Sequence, residues 1–305
     1  MDEKSKSPLK ADTSLILNKK RDASESLRDL LLELLNSVTF YLNQFTRNPD
    51  DPENIHQLRV YLRKLRSVLY LSKSYITREV YKSRQKTLRN LANQLGEIRE
   101  LDVLSQELGR ISIIPTDNPL VLDSLNSIIL SHRNAANTTI LEKINHGYFT
   151  EAISDFKTWL CDKPFTTDIN KKVSISGYVN STLSKLSKKF LRSLKNVNLS
   201  DNEELHRLRI QEKKLRYIEE SYHPIINHRK IKLKNDLKSL QDILGRLHDI
   251  STNLILIENF IKDSSDPQLA LQAGIFIGFQ TAESALLRKK ISKLSKKYQC
   301  NYKTY

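Results

Sequence analysis

The stretch His56-Gln57-Leu58-Arg59-Val60-Tyr61-Leu62-Arg63-Lys64-Leu65-Arg66 returns 150 residues later as His206-Arg207-Leu208-Arg209-Ile210-Gln211-Glu212-Lys213-Lys214-Leu215-Arg216. Each copy sets cations and apolar residues at spacings of three and four. On an α-helix such residues share a face. His56, Arg59, Arg63 and Arg66 therefore form a positive stripe, and Leu58, Leu62, Leu65 and Leu69 a buried one. His206, Arg209, Lys213 and Arg216 repeat the positive stripe. A chain built around this element must supply a helix partner for the leucines and leave the cations somewhere useful.

The rest of the sequence repeats with it. A helix is predicted from Ser24 to Arg47, with an apolar stripe of Leu27, Leu31, Leu34, Val38 and Leu42. Asp50 with Glu53 reads as a capping box opening the striped helix, which places Glu53 at its third position. A long third helix follows from Arg78 to Leu108, then a fourth from Val121 to Asn145, closed by His146-Gly147. A connector with a short helix covers 147–173. The scheme then restarts: a helix from Ser174 to Asn196, a second capping box at Ser200 and Glu203, the second striped helix ending at Pro224, and long helices over 225–261 and 267–298. With 7 Gly and 8 Pro in 305 residues, little interrupts these helices. The expected fold is all-α, a tandem repeat of two four-helix bundles (24–146 and 174–298) related by a pseudo-twofold axis around a basic central cleft or pore. Residues 1–23 are expected to be an arm and 299–305 a tail.

A second motif lies on the third helix of each repeat, as Leu95-Gly96-Glu97-Ile98-Arg99-Glu100-Leu101-Asp102-Val103 and Leu244-Gly245-Arg246-Leu247-His248-Asp249-Ile250-Ser251. A helical glycine costs about 0.5–1 kcal/mol relative to alanine. Its recurrence points to close helix approach. Arg99, Glu100, Asp102, His248 and Asp249 are read as orienting or lining groups, the acids more as partners for Arg or Lys than as catalysts. Upstream, Lys82, Lys86 and Arg89, and in the second copy Lys234 and Lys238, add further cationic rows. Lys64 and Lys214 flank the stripes.

The net charge of +15 points to a polyanionic partner. Residues 151–305 carry +11 of it and residues 1–150 only +4. Linear polyphosphate needs a row of cations and no aromatic platform, whereas single-stranded nucleic-acid sites add stacking aromatics. Near the stripes Tyr61, Tyr70, Tyr81 and Tyr217 read as scattered, which favours the base-free polymer. The two histidines predict binding that tightens as pH falls from 8 to 6. Glu53-x-x-His56 and Glu203-x-x-His206 have the spacing of di-metal bundles, but the arginine three residues beyond each histidine would repel a cation. No Gly-rich phosphate loop, nucleophile elbow or dense carboxylate cluster is present, so no enzyme, no cofactor and no metal are expected. Cys161 and Cys300 form no disulfide framework, and neither a signal peptide nor a membrane span is legible, so a cytoplasmic protein is expected.

The two motifs together resemble the CHAD family, a histidine α-helical domain, whose repeats read H-x-L-R-x-x-x-(R/K)-(R/K)-L-R followed by L-G-x-x-R-D-x-D-V or L-G-x-x-x-D. The resemblance covers about 24–298. It implies a pair of four-helix repeats with a basic cleft, inorganic polyphosphate as the partner, and association with polyphosphate granules. Nucleic acid, held through its phosphates, is the alternative partner, and a metal-dependent phosphohydrolase the more distant one. The resemblance makes His56, Arg59, Arg63, Arg66, His206, Arg209, Lys213 and Arg216 the anion ligands. This chain departs from the pattern at Glu100 (for Asp), at Ser251 (for an acid) and at Glu212. The last takes the apolar place of Leu62, so that side of the helix is either less buried or pairs with a base. No β-rich segment precedes the repeats, so a triphosphate-hydrolysing tunnel domain is not expected.

Overall fold

The first helix, α1 (Ala23–Arg47), starts where Asp22 accepts a hydrogen bond from the Ser24 amide at 2.8 Å. It buries Leu27, Leu31, Leu34, Val38 and Leu42. Its partner is α2 (Pro52–Leu71), which carries the striped motif and buries Leu58, Leu62, Leu65 and Leu69. Burying each such leucine contributes about 1.5–3 kcal/mol. The cap of α2 is Asp51, not Asp50, because Pro52 takes the first helical position. Asp51 accepts from the Glu53 amide at 2.9 Å, so Glu53 stands second in the helix, not third. The second striped helix starts the same way, with Asp201 accepting from the amides of Glu203 (2.8 Å) and Glu204 (3.3 Å).

The computed structural model describes residues 18–112, 122–162, 165, 173–198, 201–227, 234–262 and 264–301. The expected arm, Ser200 and Pro115, Pro119 and Pro164 largely or wholly lie outside them. Ten α-helices and two short 3₁₀ turns, Ser72–Ser74 and His223–Ile225, make up the described fold. After α2 come α3 (Arg78–Gln94), α4 (Gly96–Ser112), α5 (Asp123–Asn145), α6 (Tyr148–Asp162), α7 (Ile175–Asn196), α8 (Asn202–Tyr222), α9 (Lys234–Ile261) and α10 (Pro267–Asn301). Gly147, with φ at 81°, makes the turn between α5 and α6. No described helix is long and apolar enough to cross a membrane.

Three further sequence expectations change. The long third helix is two helices, because Leu95 (φ −88°, ψ 6°) leaves the helical basin just before Gly96. Its counterpart α9 runs unbroken through Leu244-Gly245. A Cβ built on Gly245 would meet nothing within 4 Å, so close helix approach does not explain that glycine. Glu212 is 2% exposed, as buried as the Leu62 it replaces, which removes the less-buried alternative.

The chain divides into two compact units, and neither follows one sequence repeat. The first takes residues up to Gly96, Thr138–Ser187 and Lys214–Ile231. The second takes Glu97–Asn137, Lys188–Lys213 and residues from Lys232 on. In the first unit, α1, α2, α3 and α6 pack together. The starts of α1 and α7 are pinned side by side there: the Ala23 amide donates to Val173 and the Ile175 amide to Arg21, both at 2.9 Å. Arg84 of α3 lies over the rings of Phe156 and Trp159 in α6 and pairs with Asp155. In the second unit α9 packs on α10, burying Leu240, Leu244, Ile250, Ile257, Ala273 and Phe276. A charged network ties α4 to both: Glu107 accepts from Arg110 and Arg246, and Glu283 from the same two arginines.

Candidate anion-binding site

Burial of the leucines fixes which way α2 turns its cations. His56, Arg59, Arg63, Lys64 and Arg66 are half-buried on the helix, where their stems pack and their charges still reach water. All belong to the first unit, as do Lys82, Lys86 and Arg89, exposed on α3. The spacing of those three puts them on one face of α3. Arg59 ties the two helices together, donating from Nη1 to the carbonyl of Ala92 at 2.5 Å, in the last turn of α3. Gln85 returns the link by donating to the carbonyl of Arg66 at 2.8 Å.

The C-terminal part of α8 completes this cluster. Lys214 and Arg216 lie in the first unit, while His206, Arg209 and Lys213 of the same stripe lie in the second. Tyr217 accepts hydrogen bonds on its phenol oxygen from Arg63 Nε (2.6 Å) and Arg216 Nη2 (3.0 Å). Lys214 sits over the Tyr70 ring, 4.1 Å from its centre, and Lys73 over the same ring at 4.8 Å. Lys64 sits over Tyr61. Glu220 is an acid that meets these cations, 3.5 Å from Arg216 and 3.8 Å from Lys64. The tyrosines thus interleave with the cations instead of scattering. Tyr61 and Tyr217, 5% and 2% exposed, are supports and not stacking platforms.

Arg66 shows what the crowding costs. Its guanidinium is held below its ordinary proton affinity, first by burial, then by Arg89 and Arg63. Its Nε is buried and makes no hydrogen bond. Three like charges from two helices are gathered with too little compensation, and an anion would supply the rest.

The second copy of the stripe is set differently. Arg209 is 9% exposed and lies 3.5 Å from Asp249 of α9. His206 is exposed, its ring 5.6 Å from that of His248. Lys213 is half-buried. Lys234 and Lys238 belong to α9, but their side chains lie outside the described residues. Of the second motif, Asp102 forms a buried ion pair with Arg133 of α5 at 2.7 Å, whereas Arg99 is half-buried and Glu100 exposed. Arg133 and Tyr217 carry no signal in the repeat: the position matching Tyr217 in the first copy is Ser67. The second unit also holds a shallow cavity of about 380 Å³ lined by Arg192, Glu204, Arg207 and Gln211, whose signs are mixed. No group of three metal-ligating side chains occurs among the described residues. Glu53 of the E-x-x-H pair accepts instead from Gln57 at 2.6 Å.

The CHAD domain family matches residues 29–258, three quarters of the chain. The chain belongs to the CHAD family. The structure of this CHAD domain is similar to the crystal structure of the CHAD domain from the plant Ricinus communis, with a TM-score of 0.75, 21% sequence identity and 93% of each chain covered. It is also similar to PptA from Streptomyces chartreusis, with a TM-score of 0.66, 15% identity, and 90% of this chain and 99% of that one covered. At these identities the likeness is one of fold. No curated protein matches this CHAD domain.

Proposed function

We propose that this CHAD domain binds inorganic polyphosphate without turning it over, through the cations that α2, α3 and the end of α8 bring together in the first unit. The observation that carries the reading is the crowding of Arg63, Arg66 and Arg89, which holds Arg66 below its ordinary proton affinity. Arginine forks bond phosphate oxygens in pairs, and a chain of phosphates satisfies several forks at once. The two-bundle arrangement about a basic cleft belongs to the same reading and is supported by the repeated motif. So does association with polyphosphate granules.

The reading is tested by calorimetric titration with phosphate polymers of graded length at several salt concentrations. Affinity should rise with length until the site is filled. It should fall with salt at a slope of roughly 0.7 per phosphate neutralised, the value for single-stranded chains. A flat salt profile, or affinity independent of length, would overturn it. Nucleic acid is the competing partner, and the burial of Tyr61 and Tyr217 argues against base stacking here. Equal displacement by RNA at matched phosphate concentration would restore it.

A further inference from the structure

We propose that Tyr217 is a positioning residue that gathers Arg63 and Arg216 into one fork, and that this fork selects condensed phosphates over phosphodiester chains; the selectivity rests on the polyphosphate reading above. The phenol oxygen takes one N–H from each guanidinium, at 2.6 and 3.0 Å. Both guanidinium carbons also stand near the same ring, 5.6 and 4.9 Å from its centre. Two cations repel at such range. The oxygen lone pairs and the negative ring face offset that repulsion. At 2% exposure, Tyr217 is itself too buried to serve as a ligand contact. Its work is to set the two arginines close together, in the same cluster as Arg66.

The separation matters to the ligand. Adjacent phosphates of a condensed chain share a bridging oxygen, so their charged oxygens crowd together. In a nucleic acid a sugar stands between phosphates. Arginines held on a single oxygen match the first spacing. The first copy of the motif has Ser67 where the second has Tyr217, so this device occurs once in the pair.

Tyr217→Phe removes only the oxygen. Titrating the full chain with tripolyphosphate and with a short single-stranded RNA of the same phosphate count should show tripolyphosphate affinity falling about tenfold and RNA affinity less than about twofold, the scale of one charge-assisted hydrogen bond. In an Arg63→Lys background, Tyr217→Phe should add little. Equal losses for both ligands, or none for either, would overturn the proposal. The Arg63 Nε–H resonance, assigned through Arg63→Lys, reads the gathering without any ligand. It should lose its protection from exchange in Tyr217→Phe, and retained protection overturns the positioning role. Failure of the wild-type chain to prefer tripolyphosphate would defeat the polyphosphate reading and with it the selectivity, while that resonance still decides the gathering.

Discussion

Arg66→Met should make the ligand-free protein more stable and the liganded one weaker. The arginine is half-buried, its Nε has no hydrogen-bond partner, and Arg89 and Arg63 press on its charge. Methionine keeps most of the length of the side chain and removes the charge. Replacing poorly compensated buried charges by apolar groups of similar volume gains about 1–4 kcal/mol. Arg66 is only partly buried, so solvent screening reduces the gain to about 1 kcal/mol at the low end of that range. Binding moves the other way, because losing a hydrogen bond to a charged group costs roughly 1.5–3 kcal/mol, or about 10- to 100-fold in affinity. Urea unfolding in phosphate-free, low-salt buffer reads the first effect, and titration with a medium-length phosphate polymer the second. The single tryptophan, Trp159, lies in the first unit with Arg66, so its emission follows the unit that carries the change. A midpoint lowered by Arg66→Met, or an unchanged affinity, would refute the idea that the site is assembled at the expense of stability.

Acid should open the second unit first. Burial alone would raise the Glu107 carboxyl, but hydrogen bonds from Arg246 and Arg110 outweigh it and hold the group below the usual carboxylate range. Hydrogen bonding by Arg246 does the same for Glu283. Stabilisation from groups depressed in this way is fully present above the unfolded value of about 4.3 and is lost as pH falls below it. Helical circular dichroism should therefore fall in acid before Trp159 emission changes, and coincident transitions would contradict this. Glu107→Gln should cost about 1.5–3 kcal/mol at pH 7, the scale of a hydrogen bond to a charged group, because Arg246 keeps Glu283 as a partner, and should flatten the acid dependence of urea stability. Leu58→Ala, at a fully buried position, should cost about 2–5 kcal/mol by urea unfolding. Arg84→Met should shift Trp159 emission, since it removes a guanidinium 5.2 Å from the ring centre, and an unchanged spectrum would displace Arg84 from that face.

The sequence made the helices readable because their apolar stripes are local: α1 emerges within a residue of its expected ends. The same locality shows the cations of α2 and α3 on single faces. Features that depend on distant partners could not be read. Glu107 and Arg246 are 139 residues apart and share no motif, and Arg133 finds Asp102 only once α5 is folded back. Tyr217 looked incidental because the repeat provides no counterpart. The break at Leu95 also escaped, since Leu95 and Leu244 occupy matching places and only one interrupts its helix.

The two compact units cross the sequence repeats, and this bears on how the chain can be divided. The first unit takes α1, α2 and α3 from the first repeat and the end of α8, with Tyr217, from the second. A fragment cut in the connector would carry the cationic stripe of α2 without the tyrosine that gathers it, and with part of its apolar face bare. The two halves should therefore behave as a split protein: poorly soluble when made separately, and restored when made together. The motif repeats by halves along the sequence, but the compact units do not follow those halves.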